Sequence, residues 1–296
     1  MNKTLIFLLF ITTCFNVTGQ SLKSVCDSIS KEPLEYATVL FYKNSKVIKG
    51  SYTDSKGVFT YENLKVDSIQ ISNIGYQNLT VNALDLIKNN SFYLTAKKES
   101  LDEVLISVKK STDVGLINEK DNGKPLGFGY SRESGIYLEN NLDGIKYITS
   151  VKFKIAKVFD PMVVRVKIYS VDTLENRLYP GKVLNINDYL LKVDKKSKEP
   201  YEILFLEKLQ FPENGMFVIL EGVDFINETP KKGKKSGIRL AATRSDENIY
   251  YYKVNHSSEY WLDYNRWAIH DYRISFGKEI SRKWLSVPLI GVTIND

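Results

Sequence analysis

The sequence is 296 residues long, and its 41 lysines and arginines outnumber its 35 aspartates and glutamates, which gives a net charge of +6 at neutral pH. This excess is mild and spread along the chain, and no basic groove with interleaved aromatic residues accompanies it, so nucleic acid is not an expected partner. The chain has 2 histidines and 2 cysteines, too few for the clustered ligands that zinc sites use. We therefore expect neither a metal nor a cofactor.

The chain begins with a segment typical of export. A positively charged start precedes an apolar run from Leu5 to Phe15, and small residues end the segment at Gly19. The run is too short to cross roughly 30 Å of hydrocarbon. Residues 1–19 are therefore predicted to be a secretory signal peptide that is removed. An alternative makes Cys14 the lipidated first residue of a lipoprotein, but the three residues before it are a poor lipidation signal.

Removal of the signal peptide leaves Cys26 as the last cysteine of the chain. An internal disulfide is then impossible, so the fold is expected to depend on buried apolar surface. The thiol is expected to be buried on a first strand, with pairing between two chains as the alternative. No other apolar run reaches the roughly 18 residues of a membrane-spanning helix. The length of the exported chain predicts two domains.

Residues 21–108 contain short strand-like segments separated by turn residues, with a brief helix candidate at Ala83–Lys88. In the turn from Asp54 to Gly57, Asp54 can bond its own backbone and Gly57 can adopt a positive φ. Residues 68–73 then alternate apolar and polar side chains, as in a half-buried strand. Short strands at regular spacing predict an antiparallel β-sandwich for this region.

A series of short motifs runs through this region. In chain order they are Cys26-Asp27, Glu32 to Val39, Gly50, Thr53-Asp54, Gly57-Val58-Phe59, Ile71-Ser72, Ile74-Gly75-Tyr76 and a last strand at Leu101 to Ile106. Together these motifs resemble the carboxypeptidase-regulatory-like domain. The resemblance implies a transthyretin-like β-sandwich in an envelope protein of a Bacteroidota-type bacterium. It also implies a location in the periplasm or in association with the outer membrane or the cell surface.

The usual companions of this domain are not expected in the rest of the chain. In carboxypeptidases the domain accompanies a zinc hydrolase, and no His-x-x-Glu metal motif occurs in this sequence. In envelope receptors it often precedes a TonB-dependent outer-membrane domain of about 22 strands, for which the remaining residues are too few. Any activity is therefore expected in the second domain.

The second part of the chain is also predicted to be β-rich, so the whole protein is expected to be all-β. Lys109–Lys124 is interpreted as a linker or an irregular crossing strand, and residues 125–296 as a second, jelly-roll-like β-sandwich. The odd positions of Ile145–Ile155 are mostly apolar, and Met162–Ile168 repeats that rhythm. Met216–Leu220 is the continuous apolar run of a strand buried on both faces. Further strands are expected at Ile203–Phe205, Ile238–Ala241, Ile249–Val254 and Ile269–Phe276.

The sequence contains no recognisable set of catalytic residues. His270 is in phase with the apolar side of its predicted strand, and Asp271 would point to the opposite face, so the two do not pair. His256 lies in a predicted turn, and Gly127–Tyr130 has only part of a dinucleotide-binding loop. The basic segment Lys231–Lys235 is interpreted as a solvated loop, with contact to an anionic lipid or glycan as the alternative.

An aromatic cluster in the C-terminal part of the chain is the best binding candidate. Core packing is the default for such large rings, but strand alternation is expected to turn part of Tyr250–Tyr252 outward. Residues 260–267 mix flat rings with Asp, Asn and Arg, which suits sugar stacking or a protein partner. The predicted binding residues are Tyr251, Tyr260, Trp261, Tyr264 and Trp267.

The sequence favours an exported, non-enzymatic envelope protein that serves as a binding, adaptor or surface-assembly module for a protein or glycan partner. The alternative is a glycan-binding protein or a glycoside hydrolase that uses the second domain, since such an enzyme needs only two carboxyl groups at a set separation. The carboxylates that would supply this pair are Glu139, Asp143, Glu221, Asp224, Asp263 and Asp271.

Overall fold

The computed structural model of the chain describes residues 21–61, 65–97, 111–226, 237–247, 249–254, 261–263 and 285–295. Within these residues the protein is all-β, with 23 strands and one short helix, so the predicted fold class is confirmed at this level. Two compact units divide the chain, namely Met1–Ser72 with Asn78–Thr95 and Asn73–Gln77 with Ala96–Asp296. No helix in the described ranges is long and apolar enough to cross a membrane.

The first unit consists of two sheets and one helix. Its elements are β1 (Ser21–Asp27), β2 (Thr38–Lys43), β3 (Lys46–Tyr52), β4 (Val58–Tyr61), β5 (Ser68–Ser72), β6 (Leu79–Asn82), α1 (Ala83–Lys88) and β7 (Ser91–Leu94). The first sheet has the order β3-β2-β5-β6, and the second has the order β4-β1-β7, in which β1 is antiparallel to β4 and parallel to β7. The predicted helix is confirmed as α1. It begins after Asn82, whose side chain accepts a hydrogen bond from the N–H of Asp85, as an N-cap does.

The turn between β3 and β4 has the chemistry expected from its residues. The Oδ1 atom of Asp54 accepts hydrogen bonds from the N–H groups of Lys56 and Val58, at 2.8 and 2.9 Å. Gly57 has a φ of 70°, and a Cβ at this position would stand 2.7 Å from the carbonyl oxygen of Val25. The position therefore requires glycine both for its backbone angle and for the close approach of β1.

The core of the first unit contains inward-facing aliphatic residues and a set of aromatic rings. The ring of Phe41 lies 6.4 Å from that of Phe59 and 6.5 Å from that of Tyr61. Val25 of β1 is fully buried in this core, whereas its neighbour Cys26 is only half-buried. Because adjacent residues of a strand point to opposite faces, the burial of Val25 turns the thiol away from the core, and the prediction of a buried Cys26 is wrong.

Lys23 occupies the inner side of β1 beside Val25, and only 2% of its surface is exposed. Its Nζ donates hydrogen bonds to the carbonyl oxygen of Asn89 at 2.7 Å and to Oδ1 of Asn90 at 3.0 Å. Asn89 is the C-terminal cap of α1, so Lys23 connects β1 to the end of the helix. Burial lowers the pKa of the Lys23 ammonium group, because it penalises the charged form.

The second unit is larger, and sixteen strands are described in it. They are β8 (Thr112–Gly115), β9 (Leu126–Phe128), β10 (Arg132–Leu138), β11 (Tyr147–Phe153), β12 (Ile155–Val158), β13 (Met162–Leu174), β14 (Arg177–Val183), β15 (Tyr189–Val193), β16 (Tyr201–Gln210), β17 (Met216–Phe225), β18 (Ile238–Leu240), β19 (Ala242–Arg244), β20 (Tyr250–Val254), β21 (Leu262–Asp263), β22 (Ser286–Pro288) and β23 (Ile290–Asn295).

Two sheets supply the main core of the second unit. One has the order β14-β13-β17-β10-β20-β21, with β15 also paired to β13, and the other has the order β16-β11-β23-β8. Val166 of β13, Val218 of β17, Phe153 of β11 and Val292 of β23 are all fully buried in the core that the two sheets share. Two smaller sheets, β12-β18-β9 and β19-β22, complete the described part of this unit.

The sequence patterns of β13 and β17 are confirmed by their burial. Met216–Leu220 is completely buried, as a continuous apolar run predicts. In β13, Val164 and Val166 face the shared core while Arg165 and Lys167 lie on the opposite face of the sheet. That opposite face is not an ordinary solvent-exposed surface, because Arg165 is itself buried.

The alternation predicted for Ile145–Ile155 holds only in its second half. Val151 and Phe153 face the core as expected, but Ile148 is buried while Ile145 is exposed. The pairing of β11 with both of its neighbours shifts between Ile148 and Ser150. A bulge adds one residue to the strand and reverses the phase of alternation, which explains why the odd positions face inward on one side of it only.

Part of the segment interpreted as a linker belongs to a sheet. Thr112–Gly115 forms β8, which pairs with β23 and places Asp113 opposite Thr293. The alternative of a crossing strand therefore describes these residues better than a linker does. Lys109 and Lys110 lie outside the described residues, as does the strand predicted at Ile269–Phe276.

Candidate functional site

An outward bulge interrupts β16, a strand at the edge of its sheet. Leu204 pairs with Ser150 of β11, and the pairing resumes at Leu209, which is opposite Ile148. Residues 205–208 are thus opposite the single residue Thr149. Bulges bend a strand, redirect its side chains and are common at edges and functional sites. We refer to Leu204–Lys208 as the β16 bulge.

Side-chain contacts hold the β16 bulge in place where β11 provides no ladder bonds. The ring of Tyr189 stacks on Phe205, with centroids 4.3 Å apart and an interplanar angle of 4°. The Tyr189 hydroxyl oxygen accepts a hydrogen bond from the N–H of Leu206 at 2.9 Å. The Oε2 atom of Glu207 accepts one from the N–H of Ile186 at 2.9 Å. Because Phe205 and Glu207 are buried, the bulge is an anchored part of the fold.

The outward side of the β16 bulge is apolar. Leu204 is 67% exposed and Leu206 is 79% exposed, while the residues between and after them point inward. Glu202 precedes the two leucines and Lys208 follows them, and the Nζ of Lys208 lies 4.5 Å from the centroid of the Tyr147 ring. Exposed leucines with charges at either end form a small apolar centre and a polar rim, as in protein–protein interfaces.

An open cleft of about 260 Å³ lies where β16 ends. Its lining residues are Asn140, Leu142, Gly144, Ile145, Gln210, Phe211 and Glu213. Gln210 is the last residue of β16 and pairs with Tyr147 of β11, and Ile145 is exposed. The surface around the end of β16 therefore combines exposed apolar side chains with a shallow concavity.

A second candidate site is a buried ionic cluster on the face of the β13–β17–β10 sheet that is turned away from the shared core. Arg165 of β13 is the cross-strand partner of Glu221 of β17, which in turn is the partner of Glu133 of β10. The guanidinium of Arg165 binds Asp188 in a fork, with Nε–Oδ1 at 2.7 Å and Nη2–Oδ2 at 2.8 Å. Its Nη1 lies 3.1 Å from Oε2 of Glu221.

Lys167 joins the two glutamates of this cluster. Its Nζ lies 2.6 Å from Oε1 of Glu133 and 2.9 Å from Oε2 of Glu221, and Tyr169 donates its hydroxyl to the same Oε1 of Glu133 at 3.1 Å. Burial alone would lower the pKa of Lys167, but the charges of the two glutamates outweigh it and hold that pKa well above its ordinary value. Burial and the charge of Glu133 raise the pKa of Tyr169.

The two glutamates of the ionic cluster are closed to solvent. Glu133 is 2% exposed and Glu221 is not exposed at all. A catalytic carboxyl group must reach the atom that it protonates or attacks, and both of these carboxylates are instead engaged by Lys167 or Arg165. The arrangement can hold three strands in one register, since any slip would leave buried charges without partners.

The structure turns part of the predicted aromatic surface inward. Tyr251 is 6% exposed and packs edge-on against Phe217, with centroids 4.9 Å apart. Burial and the nearby charge of Asp263 raise the pKa of Tyr251 to about 12. The half-buried Trp261 packs edge-on against Tyr169 at 5.7 Å. The expected open ring at Tyr251 is therefore wrong, because core packing prevails there.

The other predicted binding residues, Tyr260, Tyr264 and Trp267, lie outside the described residues, and so do His256, His270 and Lys231–Lys235. Their roles stay predictions.

The carboxylates considered for hydrolysis have different surroundings among the described residues. Glu221 belongs to the ionic cluster, and Asp263 lies on β21 opposite Tyr251. Glu139 and Asp143 are exposed. The remaining candidates are Asp224, which accepts a hydrogen bond from the N–H of Phe225, and Asp271, which is outside the described residues. The sequence did not predict that Glu133 and Arg165 lie beside Glu221, because the three residues are brought together only by the register of their strands.

Within the described ranges, no group of three or more His, Cys, Asp or Glu side chains is arranged to hold a metal ion. A comparison of the chain with models of protein families and one with curated proteins each found no match. The assignment of a function to the candidate sites therefore rests on the geometry of their residues.

Proposed function

We propose that the protein is an exported, non-enzymatic module of a bacterial cell envelope that binds a protein partner through the β16 bulge. The observation that carries this proposal is the exposure of Leu204 and Leu206 on a segment that the fold holds in place. An anchored backbone loses little conformational freedom on binding, which favours affinity. Apolar side chains at the centre of a surface, with charges at its rim, are the usual composition of such an interface.

The size of the expected effect follows from the burial of the two leucines. Transfer of a fully exposed leucine side chain out of water stabilises a complex by about 1.5–3 kcal/mol. Two of them would thus supply a large share of the free energy of a micromolar complex, which is about 8 kcal/mol. Glu202 and Lys208 would orient the partner and set the association rate more than the affinity.

The wider assignment rests on the sequence. The resemblance of residues 21–108 to the carboxypeptidase-regulatory-like domain supports a transthyretin-like arrangement of the first unit, and its pair of sheets is compatible with it. The apolar run before Gly19 supports export. We place the second unit in the jelly-roll-like class of sandwiches on the strength of its two large sheets around one core.

A glycoside hydrolase is the second candidate, and one observation favours it. Glu133 and Glu221 lie directly opposite each other across two strands, the kind of carboxyl pair that glycosidases use. Their burial and their bonds to Lys167 support a structural role instead. Sugar stacking on the aromatic cluster has less support than a protein partner, because the ring of Tyr251 is buried.

The test compares the wild type with a Leu204→Ser/Leu206→Ser double variant in cross-linked pull-downs from an outer-membrane extract. We expect one partner to be recovered at least about tenfold less by the double variant, since loss of the apolar centre removes hot-spot contacts. The matched control is Leu174→Ser at the β13–β14 hairpin, where the leucine is 65% exposed. Equal recovery by the double variant, or an equal loss in the control, would contradict the proposal. Specific binding on a glycan array that Trp261→Ala abolishes would support the sugar-binding alternative instead.

A further inference from the structure

A row of cationic side chains lies on one face of the small sheet β12-β18-β9. Lys157, Arg239 and Gly127 are direct partners across its three strands. Arg132, the first residue of β10, reaches the same place, because its Nη1 donates a hydrogen bond to the carbonyl oxygen of Gly127 at 3.0 Å. We refer to Arg132, Lys157 and Arg239 as the basic row. It brings two guanidinium groups close to one glycine and places a third positive charge on the strand beside Arg239.

The two guanidinium groups of the basic row lie side by side over Gly127. A Cβ atom on this glycine would stand 3.4 Å from Nη1 of Arg239 and 3.9 Å from Nη1 of Arg132. Both groups occupy space that a longer side chain at this position would fill. Glycine allows this close approach to the backbone.

An aromatic ring supports the other two members of the row. The Nζ of Lys157 lies 4.7 Å from the centroid of the Phe159 ring, and the Cζ of Arg239 lies 5.0 Å from it. Cation–π contacts of this kind hold a charge in position without using its hydrogen-bond donors. Arg239 is half-buried and also donates Nη1 to the carbonyl oxygen of Ile238 at 3.1 Å. The charges are therefore positioned while donors stay available.

No salt bridge joins the basic row to a carboxylate of the described residues, whose ion pairs involve other side chains. The nearest acid along the chain from Phe159 is Asp160, whose Oδ2 accepts a hydrogen bond from the N–H of Gly237 at 3.2 Å. Like charges at such short range repel each other. An anion between the guanidinium groups would relieve this repulsion.

We propose that the basic row binds an oxyanion, the phosphate or sulfate group of a ligand. The planar guanidinium groups of Arg132 and Arg239 match the geometry of such oxygens, and Lys157 adds a mobile point charge at the side. Both arginines are half-buried and Lys157 is exposed, so the site is open to a ligand. It shares no residue with the β16 bulge and does not depend on the function proposed for that surface.

The first test titrates the chain without its signal peptide with inorganic phosphate, sulfate and pyrophosphate by calorimetry at low ionic strength, where charge interactions are least screened. We expect saturable binding of at least one of these anions, and the preferred anion identifies the ligand as a phosphate or a sulfate. Arg132→Gln and Arg239→Gln should each weaken binding at least about tenfold. The control is Arg177→Gln in β14, an exposed arginine whose replacement changes the net charge equally and should leave affinity unchanged.

The second test leaves the charge of the protein unchanged. Gly127→Val places a branched side chain between the two guanidinium groups, and we expect it to weaken binding several-fold by moving them apart. The matched control is Gly129→Val, because a Cβ at Gly129 meets no atom within 4 Å. If an arginine variant fails to fold, the two glycine variants still test whether the basic row binds the anion.

Two outcomes would overturn the proposal. One is the absence of any difference between the wild type and both arginine variants for all three anions. The other is a loss in Arg177→Gln or Gly129→Val as large as that in the variants of the site, which would indicate unspecific attraction to a basic protein.

Discussion

Each unit of the protein removes most of one lysine side chain from water, and the two lysines have opposite surroundings. In the second unit, Lys167 lies between the carboxylates of Glu133 and Glu221, and their charges raise its pKa. In the first unit, Lys23 donates to the neutral oxygens of Asn89 and Asn90, and burial lowers its pKa. Hydrogen bonds satisfy both ammonium groups, but only opposite charges offset the cost of removing a charge from water.

The basic row shows a third way to treat positive charge. Arg132 and Arg239 have no carboxylate partner among the described residues, and they remain at the surface. Lys167 is half-buried beside its counter-charges, with 12% of its side chain exposed. Lys23 is buried without any counter-charge, and the two arginines keep contact with water. Pairing within the fold therefore marks a structural charge, whereas lack of pairing at the surface leaves a charge available for a ligand.

The largest effect on stability is expected from removal of the negative charge of Glu221, which both Arg165 and Lys167 contact. Glu221→Gln leaves Arg165 and Lys167 with less opposite charge in a buried place, so the free energy of unfolding of the second unit should fall by about 3–5 kcal/mol. Urea unfolding followed by tryptophan fluorescence would measure it, since all 3 tryptophans occur after Ala96 in the sequence.

The control for this variant is Glu202→Gln. Glu202 is 41% exposed and lies 3.8 Å from the Nζ of Lys152, and exposed pairs of this kind contribute at most about 1 kcal/mol. A loss of stability in Glu221→Gln no greater than in this control would show that the cluster is not a structural ionic site.

Much of the local structure that carries this comparison could be predicted from the sequence. The turn at Asp54–Gly57 depends on residue types whose local bonding is known, and the helix Ala83–Lys88 and the buried run Met216–Leu220 are recognisable as continuous segments. The alternation of Met162–Ile168 also placed Arg165 and Lys167 on a face opposite the apolar side chains. Local rules were sufficient wherever the deciding contacts are close along the chain.

The sites themselves could not be predicted, because they depend on register between distant strands. Glu133, Arg165 and Glu221 lie on three strands that are far apart in sequence and meet only through pairing. The bulges of β11 and β16 add residues that no local pattern marks. The sequence around Gly127 did not predict that guanidinium groups would lie over this glycine, because Arg239 comes from the partner strand β18.

An alkaline titration should test the role of Lys167 directly. A group whose pKa is raised on folding contributes stability that is complete below its ordinary pKa of 10.5 and is lost as the pH rises through the folded value. Lys167→Met should therefore destabilise the second unit most at pH 8, and the difference from the wild type should shrink above pH 10.5. Tyr169 also has a raised pKa, on which the charge of Lys167 acts, so the comparison is repeated in a Tyr169→Phe background to isolate the lysine. A difference that is constant with pH would contradict the proposed charge pairing.

The smallest effect on stability is expected from Lys23→Met. Its change with pH should be opposite in sign to that of Lys167→Met. The variant leaves two oxygens without their donor but removes a buried charge, so we expect a net loss of about 1 kcal/mol for the first unit at pH 7.

Because the pKa of Lys23 is lowered on folding, the unfolded chain binds more protons just below pH 10.5, and the wild type gains stability there as the pH rises. The difference between wild type and variant should thus grow as the pH approaches 10.5 and stay constant above it, whereas that of Lys167→Met stays constant up to pH 10.5 and shrinks above it. Urea unfolding followed by far-ultraviolet circular dichroism would show it as the transition that tryptophan fluorescence does not report. If the stability differences of both variants changed in the same direction with pH, contact with carboxylates would not explain the different behaviour of Lys167 and Lys23.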